Sequence, residues 1–162
     1  MLPTIKSGIT KSSEKRRRIS DMDNIQKLTY NHSNFKRKRK IMMICDNEPD
    51  VLLLFEHVFR SKYDLIIVGS GEECIERYIE ATNRGNKISL ILLDYKLEGM
   101  WGDTVARKIR EYNGTKIILN SAYNVDDVLV KELENGNYIS KYIQKPIETD
   151  CLTELVAEII KN

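Results

Sequence analysis

Apolar positions alternate between two rhythms from residue 41 onward. Ile41 to Cys45 is a short unbroken apolar run, the pattern of a strand buried on both faces. Pro49 then suits the first turn of a helix, and Val51, Leu52, Phe55, Val58 and Phe59 recur at helical spacing. Leu65 to Val68 predicts a second strand, and Cys74, Ile75, Tyr78 and Ile79 a second helix. Ile88 to Leu93 is the most apolar strand of the chain, followed by a helix carrying Val105, Ala106, Ile109 and Tyr112. Lys116 to Leu119 predicts the fourth strand. Val125, Val128, Leu129 and Leu133 predict the fourth helix, with Asn124 and Asp127 spaced as its capping box. Tyr142 to Gln144 is a short fifth strand, and Leu152, Leu155, Val156, Ile159 and Ile160 form the stripe of a last helix. Five strand–helix units in this length predict an α/β fold: one five-stranded parallel sheet with helices on both faces. Right-handed crossovers leave few arrangements, and ligands of such sheets gather at the carboxyl ends of the strands.

Charge divides the chain. Residues 1–40 carry 12 lysines and arginines against three acids, a local charge of +9; the rest carries −7, which gives the overall +2. The basic stretch includes Lys15-Arg16-Arg17-Arg18 and Lys36-Arg37-Lys38-Arg39-Lys40. Its sparse apolar residues cannot bury enough surface to offset ordering entropy. Residues 1–39 therefore read as a flexible basic arm, with one short helix allowed between Ile19 and Tyr30, and residues 40–162 as the folded domain. The arm suits nucleic acid, an anionic surface or an acidic partner, but equally a tail that only keeps an acidic domain soluble. No apolar run approaches the ~20 residues of a membrane span, and the polar N-terminus does not read as a secretory signal. Three dispersed cysteines (Cys45, Cys74, Cys151) fit a reducing cytoplasm better than a disulfide framework.

Chemistry concentrates just after the strands. Asp46, Asn47 and Glu48 follow the first, Asp94 the third, Asn120 and Ser121 the fourth, and Lys145-Pro146 the fifth. Two carboxylates at one sheet edge repel each other, and a hard divalent cation such as Mg²⁺ relieves this through oxygen ligands. Asp46 and Asp94 fit, with Asn47 offering a neutral carbonyl oxygen. Lys145 supplies a mobile cationic donor and Ser121 a hydroxyl. Beside a metal and Lys145, Asp94 could attack phosphorus as a carboxylate nucleophile. His32 and His57 have no evident partners. Gly69-Ser70-Gly71 lacks a third glycine, and Glu72 and Glu73 would repel a pyrophosphate.

With these residues in order, residues 40–162 resemble a response-regulator receiver domain of two-component signalling, a flavodoxin-like (βα)₅ fold. The resemblance is carried by Ile44-Cys45-Asp46-Asn47-Glu48-Pro49-Asp50, Leu90-Ile91-Leu92-Leu93-Asp94, Gly99-Met100-Trp101-Gly102, Ser121-Ala122-Tyr123 and Tyr142-Ile143-Gln144-Lys145-Pro146. It implies that Asp94 accepts a phosphoryl group from a histidine kinase or phosphotransfer protein. It implies Mg²⁺ on Asp46, Asp94 and the backbone carbonyl of Lys96, with Asn47 as a further candidate ligand. Ser121 and Lys145 would grip the phosphoryl group, and Tyr142 would be the switch aromatic that follows Ser121. Such a domain signals to a downstream protein and is not a conventional enzyme, although it assists its own phosphotransfer and dephosphorylation. With the last helix closing near Asn162, the expectation is a stand-alone receiver.

The departures from the family pattern are specific. Asn47 stands where a second acid is usual, Glu98 where proline is frequent, and Lys96 adds a charge beside the site. Between Gly136 and Tyr142 the chain is about two residues longer than is usual in the family. The rival readings are a flavodoxin-like cofactor module, which Asp46 to Glu48 oppose, and a non-phosphorylated pseudo-receiver acting as a scaffold or nucleic-acid binder.

Overall fold

The computed structural model describes residues 38–162; residues 1–37 of the basic arm, with the helix allowed between Ile19 and Tyr30, lie outside them. Five strands and five helices alternate without exception. They are β1 (Ile41–Cys45), α1 (Pro49–Phe59), β2 (Asp64–Val68), α2 (Gly71–Asn83), β3 (Ile88–Asp94), α3 (Gly102–Tyr112), β4 (Ile117–Ser121), α4 (Asp127–Asn135), β5 (Lys141–Gln144) and α5 (Thr149–Lys161). The strands form one sheet in the order β2-β1-β3-β4-β5, with every pairing parallel.

Because successive strand residues point to opposite faces, each strand divides its apolar residues between two cores. Met43, Cys45, Ile91, Leu93, Ile117 and Leu119 face one side, under Tyr78 of α2, Ile109 of α3 and Leu133 of α4. Met42, Ile44, Leu90, Leu92, Ile118 and Ile143 face the other, under Phe55 and Phe59 of α1 and Leu152 and Val156 of α5. Each fully buried side chain of this size contributes about 1.5–3 kcal/mol, so β3, apolar on both faces, anchors the sheet. Tyr112, read as part of the α3 stripe, lies at that helix's last turn and is exposed.

Local chemistry sets the helix starts. Pro49 opens α1, where a missing N–H is harmless. Ser70 caps α2 by accepting from the Glu73 N–H, and Glu73 Oε2 accepts from the Gly69 N–H; the Gly69-Ser70-Gly71 stretch is thus a helix cap. The capping box expected on Asn124 and Asp127 is corrected: Asp126 is the cap, its Oδ1 accepting from Val128 and Leu129. Val125 is buried ahead of the helix rather than on its stripe. At the far end of the sheet, Lys40 and Lys116 donate to the carbonyls of Ile160 and Ile159 at 3.0 and 2.6 Å. These are terminal carbonyls of α5 that lack partners within the helix.

Candidate functional site

The alternation that builds the second core also builds the site. Two residues beyond Ile44, Leu92, Ile118 and Ile143, on the same face of the sheet, stand Asp46, Asp94, Asn120 and Lys145. The apolar pattern turns polar where the strands reach their carboxyl ends. Lys145, 51 residues beyond Asp94 and 99 beyond Asp46, reaches both: its Nζ donates to Asp94 Oδ1 at 2.8 Å and to Asp46 Oδ2 at 2.9 Å. Asp46 is 1% exposed and Asp94 6%. Each acid is also fixed by its own turn: Asp46 Oδ1 accepts from the Glu48 N–H and Asp94 Oδ2 from the Lys96 N–H, both at 2.9 Å. The main chain supports this frame, with the Lys145 N–H on the Ser121 carbonyl at 2.7 Å and the Tyr95 N–H on the Asn120 carbonyl at 2.8 Å.

Two carboxylates share one ammonium, so the trio carries a formal charge of −1. Burial pushes the Asp94 carboxyl above the ordinary carboxylate value, and the opposing Lys145 hydrogen bond does not offset it. Burial also works to lower Lys145, but its hydrogen bonds to Asp94 and Asp46 outweigh it and hold the ammonium above its usual value. The pocket is therefore built around a permanent cation and an acid whose charge the fold resists.

The remaining expected residues occupy distinct places. Asn47 is exposed in the turn beside Asp46. Ser121 is buried at the end of β4, but its Oγ accepts from the Tyr123 N–H at 2.9 Å and does not touch the acids. Tyr142 donates its hydroxyl to the Tyr123 carbonyl at 3.2 Å. Lys96 Nζ lies 3.2 Å from the Tyr123 hydroxyl and 4.4 Å from its ring centroid. Sequence reasoning missed Tyr123 as the residue joining Ser121, Tyr142 and Lys96, and placed Asn120 at the strand end without a role. Asn120 was detectable, because Ile118–Asn120 repeats the spacing of Leu92–Asp94. Trp101 tilts against Tyr95 with ring centroids 5.2 Å apart, and Lys96 and Trp101 form an antiparallel bridge that closes the loop after Asp94.

Gly102 opens α3 against this loop. A Cβ there would meet the Asp94 carbonyl oxygen at 2.5 Å and the Tyr95 Cα at 2.9 Å, so only glycine lets the helix approach so closely.

Asp46 and Asp94 bring two carboxylates together, and the other candidate ligands expected from the sequence, the Asn47 amide and the Lys96 carbonyl, are oxygen donors on the turns that follow them. That set suits a hard divalent cation that retains several waters, such as Mg²⁺. It holds one acid fewer than the family pattern, and among the described residues no three acids, histidines or cysteines cluster as metal ligands.

Comparison with known proteins defines the class. The family model for the response regulator receiver domain matches residues 42–157, and the chain belongs to that family. A transcriptional regulatory protein of Bacillus subtilis, YclJ, is 30% identical over 123 residues, which are 76% of this chain and 51% of that protein. The chain spans about half the length of the curated relatives it matches. Among solved structures, the signal receiver domain of a protein described as a Luxo repressor from Vibrio parahaemolyticus matches with a TM-score of 0.66 and 26% identity, covering 76% of this chain and 91% of that one. The response regulator TrrA of Thermotoga maritima, solved in complex with Mg²⁺ and a beryllium fluoride, matches with a TM-score of 0.61 and 25% identity, covering 74% and 98%. The fold is thus the flavodoxin-like receiver fold of a two-component signalling domain.

Proposed function

We propose that this chain is a phosphoacceptor receiver in which Asp94 takes a phosphoryl group from a histidine kinase or a phosphotransfer protein. The observation that carries this reading is the Lys145 ammonium held between Asp46 and Asp94 at 2.9 and 2.8 Å. A carboxylate oxygen of Asp94 forms the new O–P bond as the donor's bond to phosphorus breaks and its electron pair leaves with the donor. Lys145, already on Asp94, neutralises charge on the transferring oxygens without moving far. A Mg²⁺ held by Asp46, Asp94, the Lys96 carbonyl and the Asn47 side would offset the charge that one ammonium leaves unbalanced. Ser121 sits one strand over, ready to give up the Tyr123 N–H for a phosphoryl oxygen, with Tyr142 following through Tyr123. The change in this corner would alter the contacts of α4, β5 and α5 with a downstream protein.

The same reading takes residues 40–162 as the receiver and 1–39 as its basic arm, and places the protein in the cytoplasm. No described helix is long and apolar enough to cross a membrane. Incubation with acetyl phosphate and Mg²⁺ should add one phosphoryl mass, lost in Asp94→Asn. No adduct from any small donor would instead favour a pseudo-receiver, for which the missing acid at Asn47 speaks. In that case a salt-dependent shift of DNA or RNA, lost on deleting residues 1–40, is the expected signature.

A further inference from the structure

Asn120 is 2% exposed, and its Oδ1 is the one buried side-chain polar atom without a hydrogen-bond partner among the described residues. A buried amide oxygen in that state is unfavourable, and the sheet does not require it: a strand position beside Ile118 and Ile143 suits valine or leucine. Its register is specific. Asn120 is the β4 partner of Asp94 in β3, and its β5 partner, Ile143, stands two residues before Lys145 on the same face. Asn120 therefore stands on the strand between the one that carries Asp94 and the one that leads to Lys145.

Lys145 has the complementary surplus. An ammonium has three N–H donors, and the two carboxylates engage two of them. A divalent cation drawn to Asp46 and Asp94 would compete for those oxygens and repel the ammonium. We propose that Asn120 is a positioning residue whose amide oxygen takes up Lys145 when Asp46 turns to a divalent cation. A neutral acceptor one strand away keeps Lys145 beside Asp94 without adding another charge to a buried site. This inference rests on the phosphoacceptor reading.

Two measurements test it. In a crystal structure with Mg²⁺ and beryllofluoride, Asn120 Oδ1 should lie about 2.9 Å from Lys145 Nζ, an ordinary hydrogen bond; an amide still without Lys145 overturns the proposal. In solution, Asn120→Leu should melt at or above the wild-type temperature without metal. It should nevertheless bind Mg²⁺ about tenfold more weakly, the effect of losing one hydrogen bond to a charged group. The titration is followed by fluorescence of Trp101, 51% exposed on the loop after Asp94. Should Asn120→Leu fail to fold, Asn120→Thr, small and suited to a strand, serves instead. Unchanged Mg²⁺ affinity in a variant still phosphorylated on Asp94 removes the role of Asn120 and leaves the phosphoacceptor reading intact. A wild-type protein that takes neither Mg²⁺ nor a phosphoryl group removes both.

Discussion

The Tyr142 hydroxyl donates to the main-chain oxygen of Tyr123, whose N–H is in turn held by Ser121 Oγ. The hydroxyl at the end of β4 and the aromatic of β5 are thus joined through the backbone of a single residue, Tyr123. Tyr142→Phe and Ser121→Ala should each cost about 1 kcal/mol, the net value of one hydrogen bond. The double variant should lose measurably less than the sum, because both bonds restrain Tyr123. Urea denaturation of the four proteins measures this, and strict additivity would show that Tyr123 does not couple them.

Among the described residues, Lys145 is the only ammonium on the two buried acids. Lys145→Met should destabilise the domain by about 3–5 kcal/mol, the usual consequence of stranding buried charges. Millimolar Mg²⁺ should restore part of that loss, by a larger margin than it stabilises the wild type. Thermal melts with and without Mg²⁺ read both effects. A Lys145→Met protein as stable as the parent would mean that the acids are less confined than their burial shows.

Asp94 gives the fold a pH dependence of definite sign. Its carboxyl is raised by burial, so the folded state prefers the protonated form. The stability this group contributes is present below the ordinary carboxylate value and lost as pH rises through the raised one. Asp94→Asn removes that slope and leaves Asp46 and Lys145 as a balanced pair. The variant should be the more stable protein at neutral pH by a few degrees, with the advantage shrinking as the solution is acidified toward pH 4. A constant difference between wild type and variant across that range would contradict the assignment.

The cysteines should separate in reactivity. Cys45 and Cys74 are buried, and the Cys45 thiol is driven far above its ordinary value by the neighbouring Cys74 thiol and by burial. Only a thiolate reacts, so both should stay silent in the native protein while exposed Cys151 labels readily. A thiol-specific reagent should count one group before denaturation and three after. Two fast groups would mean that the corner around β1 and α2 opens in solution.

Gly102 has no room for a side chain. Gly102→Ala would drive a methyl into the Asp94 carbonyl and the Tyr95 backbone, at a cost of about 1–3 kcal/mol typical of overpacking. Because the strain falls on the residue that carries the site, phosphorylation by acetyl phosphate should slow as well. A stability loss with an unchanged rate would place the relaxation in α3 instead of the Asp94 loop.

The fold was legible because both of its periods are strong. All five strands and five helices were readable from runs such as Leu90–Leu93 and stripes such as Leu152–Ile160. The errors fall where polar residues enter a strand. The fourth strand was read as ending at Leu119 and runs to Ser121, because Asn120 and Ser121 look like loop residues when only hydropathy is followed. The cap of α4 moved to Asp126 because Asn124, Asp126 and Asp127 all suit a helix start, and only backbone geometry chooses among them. The meeting of Asp46, Asp94 and Lys145 followed from their common position after strands. The engagement of Tyr123 with Ser121, Tyr142 and Lys96 did not, since side-chain hydrogen bonds between loops leave no periodic trace.

The ion pairs that close the pocket span 51 and 99 residues of chain. A ribosome therefore delivers both acids long before the base that reconciles them. Until β5 docks, a growing chain holds a pair of like charges that favours staying open to water. Completion of the sheet and closing of the pocket become one event, and a chain that stops short of β5 leaves both acids without their cation.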